Sequence, residues 1–138
     1  MKHLEPGFEI HTPGDSDYSR LINSSGEWEV IIEESDTDYQ GDILMLMKSK
    51  VKQGIYGYLT FGYGSCSGCD SYLACENDLG ALENLRDEMI SQIHSDYRKE
   101  LVHWLLEEHD WEGSFLHKDL VKRFLDRVKE WGGYENEY

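Results

Sequence analysis

Hydrophobic and polar positions follow one pattern in the first half of the chain and another in the second half. Three short runs in the first half are apolar or alternating, and each is rich in β-branched and aromatic residues or bounded by turn residues. Such runs predict strands over Glu27–Glu34, Asp42–Ser49 and Ile55–Gly62. Together they predict a three-stranded antiparallel meander.

After residue 75 the spacing of apolar residues becomes helical. It predicts three helices, over Asp78–His94 with Asn77 or Asp78 as the cap, over Asp96–His109, and over Leu116–Trp131 with a stop at Gly132. A short helix is also expected around Tyr18–Ile22. Strands that precede helices, without alternation, indicate an α+β fold in which the helices pack on one face of a small antiparallel sheet.

The 138 residues are expected to form a single domain. Its predicted parts are a loop-rich segment 1–26, the sheet 27–62, a cysteine segment 63–75, the helices 76–132 and an acidic tail 133–138. The sequence holds no apolar run near the roughly 20 residues of a membrane span, and its first residues lack the apolar core of a signal peptide. We therefore expect a protein of the cytoplasm.

The charge balance is strongly acidic, with 28 Asp and Glu against 13 Lys and Arg and a formal net charge of -15. Residues 1–47 carry eleven acids and two bases, a net of -9. Such a chain repels phosphate backbones, so direct binding to nucleic acid or to a membrane surface is not expected. The candidate partner-binding acids are Glu29, Glu33, Glu34, Asp36 and Asp42. Strand alternation predicts that Glu27, Glu29 and Glu33 share one solvent face. The simpler alternative is that all of these acids only solvate the surface.

All three cysteines lie within ten residues, as Cys66-x2-Cys69-x5-Cys75, between a predicted strand and a predicted helix. Thiols stay reduced in a cytoplasm, which favours a metal site or a catalytic thiol over a disulfide. A C-x2-C turn brings two sulfurs to one zinc ion, and Cys75 can return a third. We predict a structural Zn²⁺ knuckle at the strand-to-helix junction. A thioredoxin-type redox pair and unliganded core thiols are the alternatives.

A structural zinc ion needs a fourth ligand, and the predicted meander suggests where it lies. Pairing across a turn at Ser49–Gly54 places Asp42 roughly opposite Phe61, which carries the preceding acidic loop beside the cysteines. Asp38 is the predicted fourth ligand, with Asp36 and Asp42 as further candidates and His94 and His103 as candidates only if their helices fold back. At a spacing of six residues, His103 and His109 do not share one face of an α-helix, and we expect both at the surface.

Two sequence segments resemble a group of small phage and prophage proteins that share a Tyr-Gln-Gly turn and a Gly-Ser-Cys-Ser-Gly-Cys knuckle. The segments are "DYQGD" (Asp38–Asp42) and "YGYLTFGYGSCSGCD" (Tyr56–Asp70), and the resemblance covers about residues 27–95. It implies a zinc-containing anti-CRISPR inhibitor of a type II CRISPR effector nuclease, active in the host cytoplasm and without catalysis of its own. Its acidic surface would bind the nuclease and block target loading. An accessory thiol or redox enzyme and a passive DNA mimic are the alternatives.

The zinc hypothesis predicts about one zinc ion per chain in protein purified without added metal, measured by elemental analysis. Replacing Cys66 and Cys69 with Ser should unfold or destabilise the chain, because the metal would stabilise the fold directly. A catalytic thiol would instead leave a folded, inactive protein. Absence of zinc from the folded wild-type chain would contradict the hypothesis.

Overall fold

Four antiparallel strands form one sheet in the computed structural model, which describes residues 15–35, 41–63, 78–112 and 116–133. The strands lie side by side in chain order: β1 Trp28–Ser35, β2 Gly41–Ser49, β3 Ile55–Tyr63 and β4 His94–Tyr97. The helices are α1 Asp15–Asn23, α2 Leu79–Ser91, α3 Arg98–His103 and α4 Lys118–Gly132, and a π-helical segment Trp104–Glu108 continues α3. The α+β class and the first three strands are confirmed.

Helices cover both faces of the sheet, so the prediction of helices on one face was wrong. Residues 43–47 of β2 are all 0% exposed, with alternate side chains on opposite faces. On one face they pack with α1 and α2 in a cluster that includes Tyr18, Leu21, Ile22, Ile43, Met45, Met47, Leu82 and Met89. On the other face they pack with α3 and α4 in a cluster that includes Leu44, Leu46, Leu101, Leu105, Leu120 and Phe124.

The fourth strand was not predicted from the sequence. His94–Tyr97 pairs with β3, with Tyr97 opposite Ile55 and His94 opposite Tyr58. The predictions had placed His94 at the end of one helix and Asp96 at the start of the next. In the structure α2 ends at Ser91 and α3 begins only at Arg98. These four mostly polar residues form a strand because the edge of β3 is available to pair with them. The strand propensity of the four residues alone does not predict this pairing.

The helix boundaries follow the expected signals at two points. Asp78 caps α2, since its side chain accepts a hydrogen bond from the amide of Ala81 at 3.0 Å. Gly133 follows the end of α4 with φ of 67°, a left-handed conformation that glycine adopts without strain. No helix in the described part of the chain is both long enough and apolar enough to cross a membrane.

A β-bulge in β1 changes which face its acids occupy. The register shifts between Val30 and Ile32, so Glu29 lies opposite Lys48 whereas Glu33 lies opposite Met45. The side chains of Lys48 and Met45 lie on different faces of the sheet, because they are three positions apart in β2. Each β1 residue lies on the same face as the β2 residue with which it pairs. The prediction that Glu29 and Glu33 share one face was therefore wrong.

Three side chains bond backbone groups of the edge strand β1. The Asn23 side-chain oxygen accepts from the Val30 amide at 2.8 Å. Arg127 donates to the Glu33 carbonyl at 2.9 Å, and Arg123 donates to the Ser35 carbonyl at 3.0 Å. Backbone polar groups at a sheet edge would otherwise face solvent or another strand. Residues from α1 and α4 therefore occupy part of this edge.

The close approach of the Ile93 and Trp28 side chains to the backbone of β3 depends on a glycine. A β-carbon built on Gly57 would lie 2.4 Å from the Ile93 side chain and 3.1 Å from the Trp28 ring. We expect Gly57→Ala to lower the free energy of unfolding by about 1–3 kcal/mol through overpacking, measured by urea denaturation.

Gly80→Ala is the matched control for Gly57→Ala. Among the described residues, a β-carbon at Gly80 meets the Asp78 carboxylate at 3.4 Å, an ordinary contact, and nothing else within 4 Å. Because alanine favours a helix over glycine by up to about 1 kcal/mol, this variant should be neutral or slightly stabilised. Equal stability of the two variants would contradict the packing account.

Candidate functional site

The predicted zinc site lies outside the described residues. Cys66, Cys69, Cys75 and the proposed fourth ligand Asp38 all fall in segments that the structure does not describe, as does Asp36. Within the described residues, no group of three or more His, Cys, Asp or Glu side chains could hold a metal ion. The zinc assignment stays a prediction from the sequence.

Glu34, one of the predicted partner-binding acids, bonds two arginines of α4. Its carboxylate lies 2.8 Å from Arg127 Nη1 and 3.2 Å from Arg123 Nε, and its side chain is 18% exposed. Charge-assisted hydrogen bonds of this kind are among the stronger polar contacts in proteins, although both guanidinium groups here remain half-exposed. Glu34 therefore ties α4 to the edge strand of the sheet.

The other described acids of this set have different surroundings. Glu33 accepts a hydrogen bond from the Ser19 hydroxyl of α1. Asp42 is partly buried near the start of β2, whereas Glu29 is exposed. These carboxylates therefore do not form one open face: two of them bind the helices that cover the sheet.

A second acidic surface lies on α2, and the sequence analysis did not select it. The helix and its cap carry four carboxylates, which we call the α2 carboxylate face: Asp78, Glu83, Asp87 and Glu88. The only cation of this segment is Arg86, and its side chain is buried, with the residue 1% exposed. The exposed charge of α2 is therefore entirely negative.

Arg86 points inward and contacts the layer beneath it. Its Nε donates to the Asp87 carboxylate at 3.1 Å, and its Nη1 lies 3.4 Å from the Ser24 hydroxyl just after α1. A buried guanidinium needs such partners, since desolvating an unpaired charge costs several kcal/mol. Arg86 thus links α2 to α1 and contributes no positive charge to the surface.

On the opposite side of the sheet, aromatic rings surround Tyr58. The rings of Trp104, His109, Trp111 and Phe124 have centroids 5.7 to 6.0 Å from the Tyr58 ring. The phenol oxygen is buried, and no group in the described ranges meets hydrogen-bond geometry to it. Burial raises the pKa of Tyr58; the nearby Thr60 hydroxyl opposes the shift and the Asp42 carboxylate adds to it. Tyr58 is therefore a neutral packing centre at physiological pH.

The π-helical segment brings together residues that an α-helix would separate. The His109 amide donates to the Trp104 carbonyl at 2.8 Å, an i to i+5 bond, and the two rings lie 4.5 Å apart. The same wide turn places His103 Nε2 at 3.4 Å from the Glu108 carboxylate. Because these spacings belong to a π-helix, the α-helical period used in the sequence analysis could not find them.

A cleft of about 830 Å³ opens between β4, α3 and the end of α4. Its aromatic wall is His94 stacked on Trp104, with ring centroids 3.8 Å apart and planes inclined by 12°. Its polar lining includes the carboxylates of Asp96, Glu100 and Glu108 and the cations Arg98 and Lys99, with His103 beside them. Aromatic faces next to charged groups suit the binding of a polar or charged ligand.

Comparison with known proteins does not assign the chain to a family. No protein-family model, curated protein or solved structure matches it. The candidate surfaces described above are the α2 carboxylate face and the cleft beside Trp104.

The aromatic cluster predicts a pH dependence of stability. Burial lowers the pKa of His109 below its ordinary 6.5; Asp110 opposes the shift and His94 adds to it. Above pH 6.5 the His109 imidazole is mostly neutral in both the folded and the unfolded chain, and the free energy of unfolding is then at its full value. As the pH falls below 6.5 the unfolded chain takes up the proton first, so stability is lost.

We expect His109→Gln to reduce the loss of stability between pH 7 and pH 5, measured by urea denaturation at several pH values. Asn84→Gln, an exposed position of α2 that carries no titratable group, is the control and should retain the wild-type dependence. A His109 variant with an unchanged pH dependence would contradict the assignment.

Proposed function

We propose that this chain is a non-enzymatic inhibitor that binds a basic, nucleic-acid-binding surface of a type II CRISPR effector nuclease in the host cytoplasm and blocks target loading. The observation that carries the proposal is the α2 carboxylate face, whose single cation is buried. The choice of partner rests on the resemblance of the Tyr-Gln-Gly turn and the cysteine knuckle to the phage proteins described above.

The α2 carboxylate face has the chemistry that a basic channel would recognise. Glu83 and Asp87 are four residues apart and therefore neighbours on the helix, where like charges disfavour an isolated helix by a few tenths of a kcal/mol. Effector nucleases hold guide and target in positively charged channels. The carboxylates of α2, in a chain of net charge -15, would be steered to such a channel and would compete with the phosphates that normally fill it.

The contacts of the β1 acids are the reason for assigning the binding surface to α2. Glu33 and Glu34 bond Ser19, Arg123 and Arg127 within the chain, so docking through them would disrupt the attachment of both helical layers. Glu29 is exposed and can contribute at the margin. The bonds of Asp78 and Asp87 lie within α2, to the Ala81 amide and to Arg86, so a partner can bind this helix without separating it from the sheet.

The proposed zinc site would support this surface from the adjacent segment. Cys75 precedes the cap of α2, Asp78, by three positions. A Zn²⁺ held by Cys66, Cys69, Cys75 and Asp38 would shorten the free chain before α2 and hold the start of the helix in place. In this proposal the metal is structural, and the inhibition is carried out by the carboxylates.

Glu83→Gln/Glu88→Gln tests the proposed surface. The double variant keeps the Asp78 cap and the Asp87 partner of Arg86, so the fold should be retained. Removing two charges should weaken binding to the purified nuclease by about 3- to 10-fold, mainly by slowing association, and should reduce its salt dependence. Binding kinetics and inhibition of target-DNA cleavage measure both effects.

Glu112→Gln/Glu130→Gln is the matched control, since both residues are exposed and lie outside α2, and the net charge changes equally. It should inhibit like the wild type. Equal weakening by both double variants would mean that net charge alone matters, as in a passive DNA mimic, and would overturn the assignment to α2. Failure of the wild-type chain to bind any nuclease of a type II panel would overturn the proposed function.

A further inference from the structure

We propose that the cleft beside Trp104 binds the guanidinium group of an arginine side chain from a basic protein partner. The identification of that partner as the nuclease rests on the proposed function, but the arginine site rests on the cleft itself. The site would be a second, directional contact, separate from the α2 carboxylate face on the other side of the sheet.

The aromatic wall is suited to a planar cation. The His94 ring stacks on Trp104 on one side of the cleft, and the His94 residue is exposed. A guanidinium group stacks on flat aromatic rings, and because His94 covers one face of Trp104, the ring of this stack that a ligand reaches is the exposed His94 imidazole. An ammonium group carries the same charge but is compact and strongly hydrated, so it gains less from a flat wall.

The charges around the wall favour a cation over an anion. Asp96, Glu100 and Glu108 all line the cleft, and so do Gly132 and Gly133 at the carboxyl end of α4. That helix end carries partial negative charge. Arg98 and Lys99 oppose these groups with two positive charges against three negative ones; the Arg98 guanidinium donates to the neutral Trp131 carbonyl and keeps its charge. The negative charge of the carboxylates and the helix end therefore exceeds the positive charge that lines the cleft, and this favours a cationic ligand.

Arg98 shows that the fold already binds a guanidinium in this way once. Its guanidinium carbon lies 4.3 Å from the centroid of the Trp131 ring, and its Nη2 donates to the carbonyl of the same residue in the last turn of α4. The combination is an aromatic face with a carbonyl at a helix carboxyl end. The cleft next to it offers a second aromatic wall and adds three carboxylates. At about 830 Å³ it has room for an arginine side chain and part of its flanking peptide.

Titration of the full-length, isotopically labelled chain with a hexa-arginine peptide tests the site, with a hexa-lysine peptide as the comparison. At about 0.15 M salt, where long-range attraction is screened, NMR should show shifts at the Trp104 indole and the His94 imidazole. The arginine peptide should bind at least about 3-fold more tightly than the lysine peptide, because only its cation stacks. Glu100→Gln/Glu108→Gln should weaken arginine-peptide binding by about 3- to 10-fold.

Glu83→Gln/Glu88→Gln is the control here, because it removes two charges from the other side of the sheet and should leave the shifts at Trp104 and His94 unchanged. Equal affinity for the two peptides, or shifts confined to α2, would overturn the arginine site. No nuclease takes part in this experiment. Its failure would therefore leave the α2 proposal standing, and a failure of nuclease binding would leave the arginine site standing.

Discussion

The structure depends on the complete burial of β2 from both sides. Residues 43–47 have no exposed surface, and a strand with apolar side chains on alternate faces can be buried this way only between two covering layers. Each large apolar side chain contributes roughly 1.5–3 kcal/mol when it is fully buried. Helices α1 and α2 supply one layer and helices α3 and α4 the other, so the two candidate surfaces lie on opposite sides of one sheet.

Much of the fold could be predicted because the spacing of apolar residues along the chain reflects which side chains are buried. The first three strands, the α2 cap at Asp78 and the end of α4 followed local signals that the structure confirms. The second helical layer was missed although "ILMLM" in β2 is continuously apolar rather than alternating, which is the pattern of a strand buried on both faces. Strand β4 and the bulge at Ile31 depend on pairing with neighbouring strands, and no local sequence preference encodes that pairing.

For the candidate surfaces, the sequence indicates which charged and aromatic residues are present, but it does not indicate how the fold arranges them. Counting charges selected the acids of β1, yet Glu34 bonds two arginines that lie about ninety positions further along the chain. The same count treats Arg86 as a surface cation, whereas its burial is what leaves α2 uniformly acidic. The contacts made by the π-helical segment depend on a five-residue spacing that an α-helical period excludes.

The occupied edge of β1 restricts how this molecule can be recognised. An incoming strand would have to displace Arg123, Arg127 and Asn23 from the backbone of β1, and it would then meet a bulge that breaks the pairing register. Strand addition is a common way for proteins to recognise one another, and at this edge it would first have to break the contacts that hold α1 and α4 in place. Backbone pairing of a partner strand with β1 is therefore disfavoured by the contacts that hold the fold together.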